Sequence, residues 1–359
     1  MTSEDAATQA DVLAQPQSRA GRNGRQAATI YDIAKLAGVS PSTVSRALNK
    51  PGRINIKTEE RIHAAAKQLK YRLNPMARAL PTGRTNTLGM LLADITNPVF
   101  STVVRGAQRE AAERGFTLII AESQESGQRE VLSAGNVLPS VDGIILVGAR
   151  MSDEEIKDFA EQKPLVVINR FLPDVETIIP DLDPGIDQAL AHLADLGHSS
   201  IAFLAGPTNS WMSGARSEAL RKHSERRGLT LTEIGPGVPT LDGGRAAFPR
   251  VVATGVTAVV AYNDLMAIGL LRAAQEADYL VPGRLSIVGF DDIFGSDFTS
   301  PPLTTVRTPL ALMGELAVRR ILAMVGSRSD GDSPSGASSD LVNLTTELII
   351  RRSSGRAAR

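Results

Sequence analysis

The chain has no cysteine, a single tryptophan and only 4% aromatic residues over 359 positions, and its formal net charge is zero. Without Cys there can be no disulfide and no thiolate metal site. None of the four histidines stands at a metal-ligand spacing, and no Ser-His-Asp or paired-carboxylate constellation presents itself. The sequence therefore offers little to an enzyme. No window approaches the ~18 uninterrupted apolar residues of a membrane span. The first 27 residues are polar and acidic, then Arg/Gly-rich (SRAGRNGR), and lack the apolar stretch of a secretory signal. A cytoplasmic protein with a disordered tail over 1–27 and no membrane contact is expected. A phosphate-cradling Gly-rich loop is also missing after the first strand candidate, which ends LADITNPVF, so no cofactor is expected.

The neutral total hides an asymmetry. Between Arg22 and Arg84 thirteen Lys or Arg face three acids (Asp32, Glu59, Glu60), an excess of ten, so the remainder carries ten negative charges. A basic segment on an acidic body is the electrostatic footprint of a nucleic-acid module joined to something else.

Within that segment, ATIYDIAKLAGVSPSTVSRALNK runs from Ala28 to Lys50. Ile30, Ile33, Ala34 and Ala37 recur at helical spacing, and Gly38 follows where a helix stop tolerates positive φ. Ser40 is a good N-cap and Pro41 suits the first helical position. Val44, Ala47 and Leu48 then face inward, with Ser42, Thr43, Ser45 and Arg46 outside. This is a helix-turn-helix, whose second helix can enter a major groove. A third helix is expected from Lys57 to Lys70, with Ile62, Ala65, Ala66 and Leu69 inward. In NPMARALPTGRTNT (74–87) a very short helix, Met76 to Leu80, ends at Pro81. It is too short to be stable alone.

From Leu88 the texture changes to apolar runs separated by amphipathic stretches. The first series of strand candidates is 88–94, 116–122, 141–148 and 164–170; the second is 176–181, 200–206, 257–264 and 285–292, with a last strand at 344–352. Continuously apolar runs suit strands buried on both faces, which predicts an α/β core of two doubly wound lobes behind an all-α head. Ligands of such sheets sit at the carboxyl ends of strands, which singles out Asp94, Arg170, Asn263 and Asp291. Ser327 to Asp340 reads as a solvated loop.

TIYDIAKLAGVSPSTVSRALN, NPMARAL, LADITNPVF, VDGIIL, LGHSSIAFLAGP, NDLMAIG, VGFDD and PPLTTV, in this order, resemble the lactose-repressor (LacI) family of bacterial transcription regulators. The resemblance spans about Ala28 to Gly355. It implies a homodimer on a pseudo-palindromic double-stranded operator, with a core like periplasmic binding proteins that senses a small molecule, commonly a sugar or nucleoside. The expected division is 28–73 for the DNA-binding head, 74–86 for the hinge helix and linker, and 87–352 for the core. Lobe 1 takes about 87–182 and 306–326, lobe 2 about 183–305 and 341–352, and 353–359 is a tail. The chain departs from many relatives at Asn169-Arg170 (Asp-Arg), Asp181-Leu182 (Asp-Asn) and Ala219-Leu220 (Gly-aromatic). No heptad repeat follows Ile350, which speaks against a tetramerising coil.

By family position Pro41, Ser42 and Arg46 face base edges, and Arg46 suits the bidentate contact to guanine or, failing that, a phosphate. Ser40 and Thr43 belong to the same surface. Thr29, Tyr31, Ser45, Asn49 and Arg53 are placed for phosphates, although Tyr31 could equally pack. In the hinge, the resemblance implies contacts by Asn74 and Ala77 and a minor-groove wedge at Leu80, which could otherwise pack on its own lobe. In the core, Phe100 and Trp211 are candidates to stack on the effector or to pack in the interior. Arg170, Arg216, Asn263 and Asp291 make a donor and acceptor set suited to vicinal hydroxyls. Asp291 could instead cap a helix or pair with Arg216. Asp264 and Asp292 read as caps or inter-lobe structure. A sugar-binding transport protein and an α/β hydrolase are the other classes the core alone would allow.

Overall fold

The structure, a computed structural model, describes residues 28–49, 53–71, 84–330 and 344–358. The tail, the hinge residues Asn74, Ala77 and Leu80, and the Asn49 side chain lie outside the described residues. The chain divides into two units between Arg78 and Ala79.

Among its described residues the first unit holds three helices, α1 (Ile30–Ala37), α2 (Pro41–Asn49) and α3 (Ile56–Gln68). Thr29 and Asp32 cap α1 reciprocally, and the hydrogen bonds Asp32 receives from Thr29 hold its carboxyl below the usual range. Gly38 closes α1 at φ 63°, a left-handed conformation that glycine adopts without strain. The Ser40 hydroxyl then accepts the Thr43 N–H at 3.2 Å, and α2 begins at Pro41 as the sequence predicts. Ile33, Val44 and Ile62 are fully buried at the junction, and Val39 packs into the angle.

The second unit is an α/β core. A five-stranded sheet has the order β2-β1-β3-β4-β5, all parallel: β1 (Thr87–Leu92), β2 (Thr117–Glu122), β3 (Gly143–Val147), β4 (Leu165–Ile168) and β5 (Glu176–Ile178). A six-stranded sheet has the order β11-β10-β9-β8-β6-β7: β6 (Ser200–Leu204), β7 (Thr230–Ile234), β8 (Ala258–Ala261), β9 (Ser286–Asp291), β10 (Thr304–Arg307) and β11 (Glu347–Ile349). Only β11 runs antiparallel, against β10. Helices α4 (Pro98–Glu113), α5 (Gly127–Val137), α6 (Asp153–Gln162), α7 (Asp183–Asp195), α8 (Trp211–Arg227), α9 (Leu241–Ala253), α10 (Asp264–Glu276) and α11 (Leu310–Asp330) connect and cover the strands.

Several expectations need correction. The run at 176–181, read as opening the second series, instead forms the edge of the first sheet, paired with β4. β2 is not buried on both faces: Ile119 and Ile120 are 39% and 40% exposed on an edge strand. β7 and β10 went unnoticed because TLTEI and TTVR are too polar to stand out as apolar runs. α11 continues to Asp330, through the start of the expected loop at Ser327. The tail expected from residue 353 is docked on the second lobe over its described part. Ser353 is fully buried, donates to the Ile287 carbonyl at 2.6 Å and accepts the Thr304 N–H at 2.8 Å.

The two lobes share their chain. β5 ends lobe 1, and the following segment pairs with the returning C-terminal stretch: the N–H of Asp181 donates to the Leu344 carbonyl at 3.1 Å and the N–H of Thr346 to the Asp181 carbonyl at 3.1 Å. After β10 the chain crosses again, and α11 packs on α4 at glycine distance. A Cβ at Gly106 would stand 1.9 Å from the Ala311 carbonyl oxygen, and one at Gly314 2.1 Å from that of Val103. Gly106→Ala should therefore push the two helices apart and cost ~1–3 kcal/mol in urea unfolding. Gly135→Ala, in an exposed turn of α5 with nothing among the described residues within 4 Å, should instead stabilise by ~0.5–1 kcal/mol, because only backbone entropy changes. Equal signs for the two would rule out the contact as the cause.

Candidate functional site

On the head, the start of α2 is the outward surface. Ser40, Ser42 and Arg46 are exposed, Pro41, Thr43 and Ser45 half-buried. The three hydroxyls at its cap form a local net, with Ser40 Oγ 2.8 Å from both Ser42 Oγ and Thr43 Oγ1. Tyr31 is 69% exposed and so is not a core residue of the head; Arg53 is also exposed. Thr29 is engaged as the α1 cap, its hydroxyl donating to Asp32 at 2.8 Å. The α2 side of the head thus offers donors and one guanidinium toward a partner, with its apolar side chains turned inward.

In the core, a cavity of about 1260 Å³ opens between the carboxyl ends of the two sheets. Lobe 1 contributes Arg150, Ser152, Asp153, Arg170 and Phe171, which follow β3 and β4. Lobe 2 contributes Asn209 and Ser210, which follow β6, Trp211, Ser217 and Glu218 on α8, and Glu233 on β7. Of the six effector candidates, Arg170 and Trp211 line this space; Phe100, Arg216, Asn263 and Asp291 do not.

Each absence from the lining has a physical reason. Phe100 is 6% exposed, with its ring packed under Gly148 at the end of β3. Asn263 uses its whole amide as the cap of α10: Oδ1 accepts the Met266 N–H at 2.9 Å and Nδ2 donates to the Pro239 carbonyl at 3.1 Å. Arg216 and Asp291 form a buried pair at 2.6 Å, each about one-twentieth exposed. The Arg216 guanidinium also donates to the Tyr262 carbonyl and stacks on Phe290 at 3.8 Å and Tyr262 at 5.1 Å. Its Nε is buried without a hydrogen-bond partner among the described residues. The pairing weighed for Asp291 is thus the arrangement present.

Arg170 reaches the cavity but is already occupied. It donates to the Met151 carbonyl at 2.6 Å and pairs with Asp153, which braces the loop after β3. Arg150 beside it donates to Glu125 at 2.7 Å and to the Gly148 carbonyl at 2.7 Å. Under this loop, burial pushes the Glu130 carboxyl up although it accepts the N–H groups of Arg150 and Met151. Asp94 accepts from Thr96 and serves its own turn. Sequence reasoning missed Arg150, Phe171, Glu218 and Glu233. Glu233 lies on β7, whose sequence TLTEI does not alternate and so gave no signal for it. No group of three His, Asp or Glu among the described residues could hold a metal ion.

A helix-turn-helix head and a two-lobed binding core in one chain define a DNA-binding regulator of the ligand-sensing kind. Residues 29–74 match the family described as "Bacterial regulatory proteins, lacI family", and 190–354 a "Periplasmic binding protein-like domain". The chain is 34% identical over 301 residues to the ribose operon repressor of Escherichia coli K12, covering 81% of this chain and 91% of that one. It is 32% identical over 336 residues to the transcriptional repressor CytR of the same strain, covering 91% and 96%. A crystal structure of the lac repressor dimer bound to operator and an anti-inducer superposes with a TM-score of 0.79 at 26% identity, covering 92% of this chain and all of that one. The protein belongs to the LacI family.

Removing one partner of the buried pair strands the other charge. Asp291→Ala should cost ~3–5 kcal/mol of core stability in urea unfolding. Asp291→Asn, which leaves Arg216 an acceptor, should cost clearly less. Equal midpoints for wild type and Asp291→Ala would show that Arg216 finds water when the carboxylate is gone.

Proposed function

We propose that this protein is a cytoplasmic, operator-binding transcription repressor whose DNA affinity is set by a small polar effector, a sugar or nucleoside, held between the lobes. The observation that carries this is the cavity at the strand ends. Its lining mixes both signs of charge with hydroxyls and amides and offers two aromatic rings, Trp211 and Phe171, one from each lobe. Such a lining suits a neutral, hydroxylated ligand with an apolar face. Relatives named for ribose support the same chemistry. Arg216, between the lining residues Ala215 and Ser217 on α8, and its partner Asp291 are in this reading the groups an effector engages when the lobes close on it. A ligand that prefers one closure state then changes operator affinity by the same coupling factor. Catalysis has no part in this reading, and the head separates it from a transport protein.

Thr29, Tyr31, Ser40, Pro41, Ser42, Thr43, Ser45, Arg46, Asn49 and Arg53 form the DNA surface in this reading, with Asn74, Ala77 and Leu80 assigned from the sequence alone. Operator affinity should fall steeply with salt, by a slope of about −0.9 per phosphate neutralised. Arg46→Ala should lose ~1–3 kcal/mol on the operator and little on random DNA in gel-shift titrations. Equal losses on both would make Arg46 a phosphate contact.

The protein works as a homodimer in this proposal. Phe294 and Phe298, 81% and 71% exposed, meet edge to face at 5.1 Å beside Leu241, Leu265 and Ile268. An apolar surface of this kind is where a second copy would bury area. Phe294→Ser with Phe298→Ser should shift sedimentation toward monomer and weaken operator binding. The effector itself is best sought by mass spectrometry of ligand retained through native purification. If no retained or added sugar or nucleoside alters the gel shift, the sensing half of the proposal fails.

A further inference from the structure

Asp264 opens α10 directly after Asn263, and the effector reading leaves it without a task. Its side chain is completely buried. Oδ1 lies 2.6 Å from the Thr305 hydroxyl on β10, and Oδ2 accepts the backbone N–H of Ile293 at 2.8 Å. Both partners are uncharged. The nearest charges are two further carboxylates, Asp291 and Asp292 at the end of β9. Asp291 is paired with Arg216 from α8; Asp292 is paired with Arg307 from β10 and with Arg351. All three cations face those two acids rather than Asp264. The backbone of β9 makes room for it, since a Cβ at Gly289 would stand 2.1 Å from Oδ1.

What Asp264 holds is unusual. Asp291 and Asp292 have φ values of +104° and +52°, a region side-chain-bearing residues seldom adopt. Ile293 supplies the first N–H beyond them, and Asp264 is its acceptor. An ionised carboxylate here would face Asp291 and Asp292 with like charge and without water. Burial first, then those two acids, push the Asp264 carboxyl up to about 8.

We propose that Asp264 is a positioning residue working as an uncharged carboxylic acid, which pins the Asp291–Asp292 turn through Ile293 and Thr305 so that Asp291 meets Arg216. Its carbonyl oxygen accepts the Ile293 N–H while its hydroxyl lies against Thr305 Oγ1. The consequence for signalling rests on the reading that Asp291 and Arg216 serve the effector; the positioning itself does not.

The test uses the full chain with Asp264→Asn, an uncharged mimic of the same shape, and Asp264→Ala. The folded wild type keeps a proton up to about pH 8 that the unfolded chain releases near ~4. Its folding constant relative to Asp264→Asn should therefore fall about tenfold per pH unit as pH rises from 5 toward 8, then level off. Hydrogen exchange of the stretch containing Ile293 should be unchanged in Asp264→Asn and at least about tenfold faster in Asp264→Ala, as expected when a buried amide loses its acceptor. Parallel pH profiles for wild type and Asp264→Asn would overturn the proposal, as would an Asp264→Asn turn that exchanges as fast as the alanine variant. Should Asp264→Ala not fold, the wild type and Asp264→Asn comparison decides alone. Failure of the effector reading would appear elsewhere, as a normal effector response in Asp291→Asn.

Discussion

Two opposite charges withdrawn from water, Arg216 and Asp291, set the terms for the upper face of lobe 2. Desolvating either alone costs several kcal/mol, so the pair must be met with good geometry or not exist. That demand fixes α8 against the end of β9. It also recruits the Tyr262 carbonyl as a second acceptor and the Phe290 and Tyr262 rings as flanking faces. Thr308 contributes a hydroxyl 3.3 Å from Asp291. Thr308 lies where the chain leaves β10 for lobe 1, so the same electrostatic knot touches a segment that crosses between the lobes. One N–H on Arg216 remains without a partner among the described residues, a donor held ready without a solvent competitor.

The polar setting around that knot is graded. Asp292 is partly buried, but Arg351 and Arg307 outweigh burial and hold its carboxyl below the usual range. Asp264 has no such cation as a partner among the described residues and goes the other way. Neighbouring acids of one type are thus driven apart by which of them has a guanidinium within reach.

Much of this architecture was legible in the sequence because burial on both faces leaves a continuous apolar run. β1, β3, β4, β6, β8 and β9 are written that way, and Gly38, Ser40 and Pro41 spell out the turn of the head in backbone terms. Other strands are not written so plainly. The edge strand β7 carries Thr and Glu, the interior strand β10 carries Thr and Arg, and β5 shows its place only through pairing with β4, which chain order does not reveal. At the site, strand-end position singled out Asp291, and residue type singled out Arg216 on α8. They could not tell that Phe100 tucks under Gly148 or that Asn263 spends its amide on a cap. Which way a strand-end side chain turns depends on neighbours brought from elsewhere in the chain, such as Pro239 for Asn263.

The interleaving of the lobes also orders their assembly. α11 fills the face of the first sheet beside α4, where Gly106 and Gly314 let the backbones touch, yet it follows ten of the eleven strands among the described residues. As a nascent polypeptide emerges from its N-terminal end, lobe 1 stays open along that face until nearly all of lobe 2 has been synthesised. The part begun first is finished late, and a chain cut short before Leu310 would leave the ribosome with an apolar flank of lobe 1 bare to its surroundings.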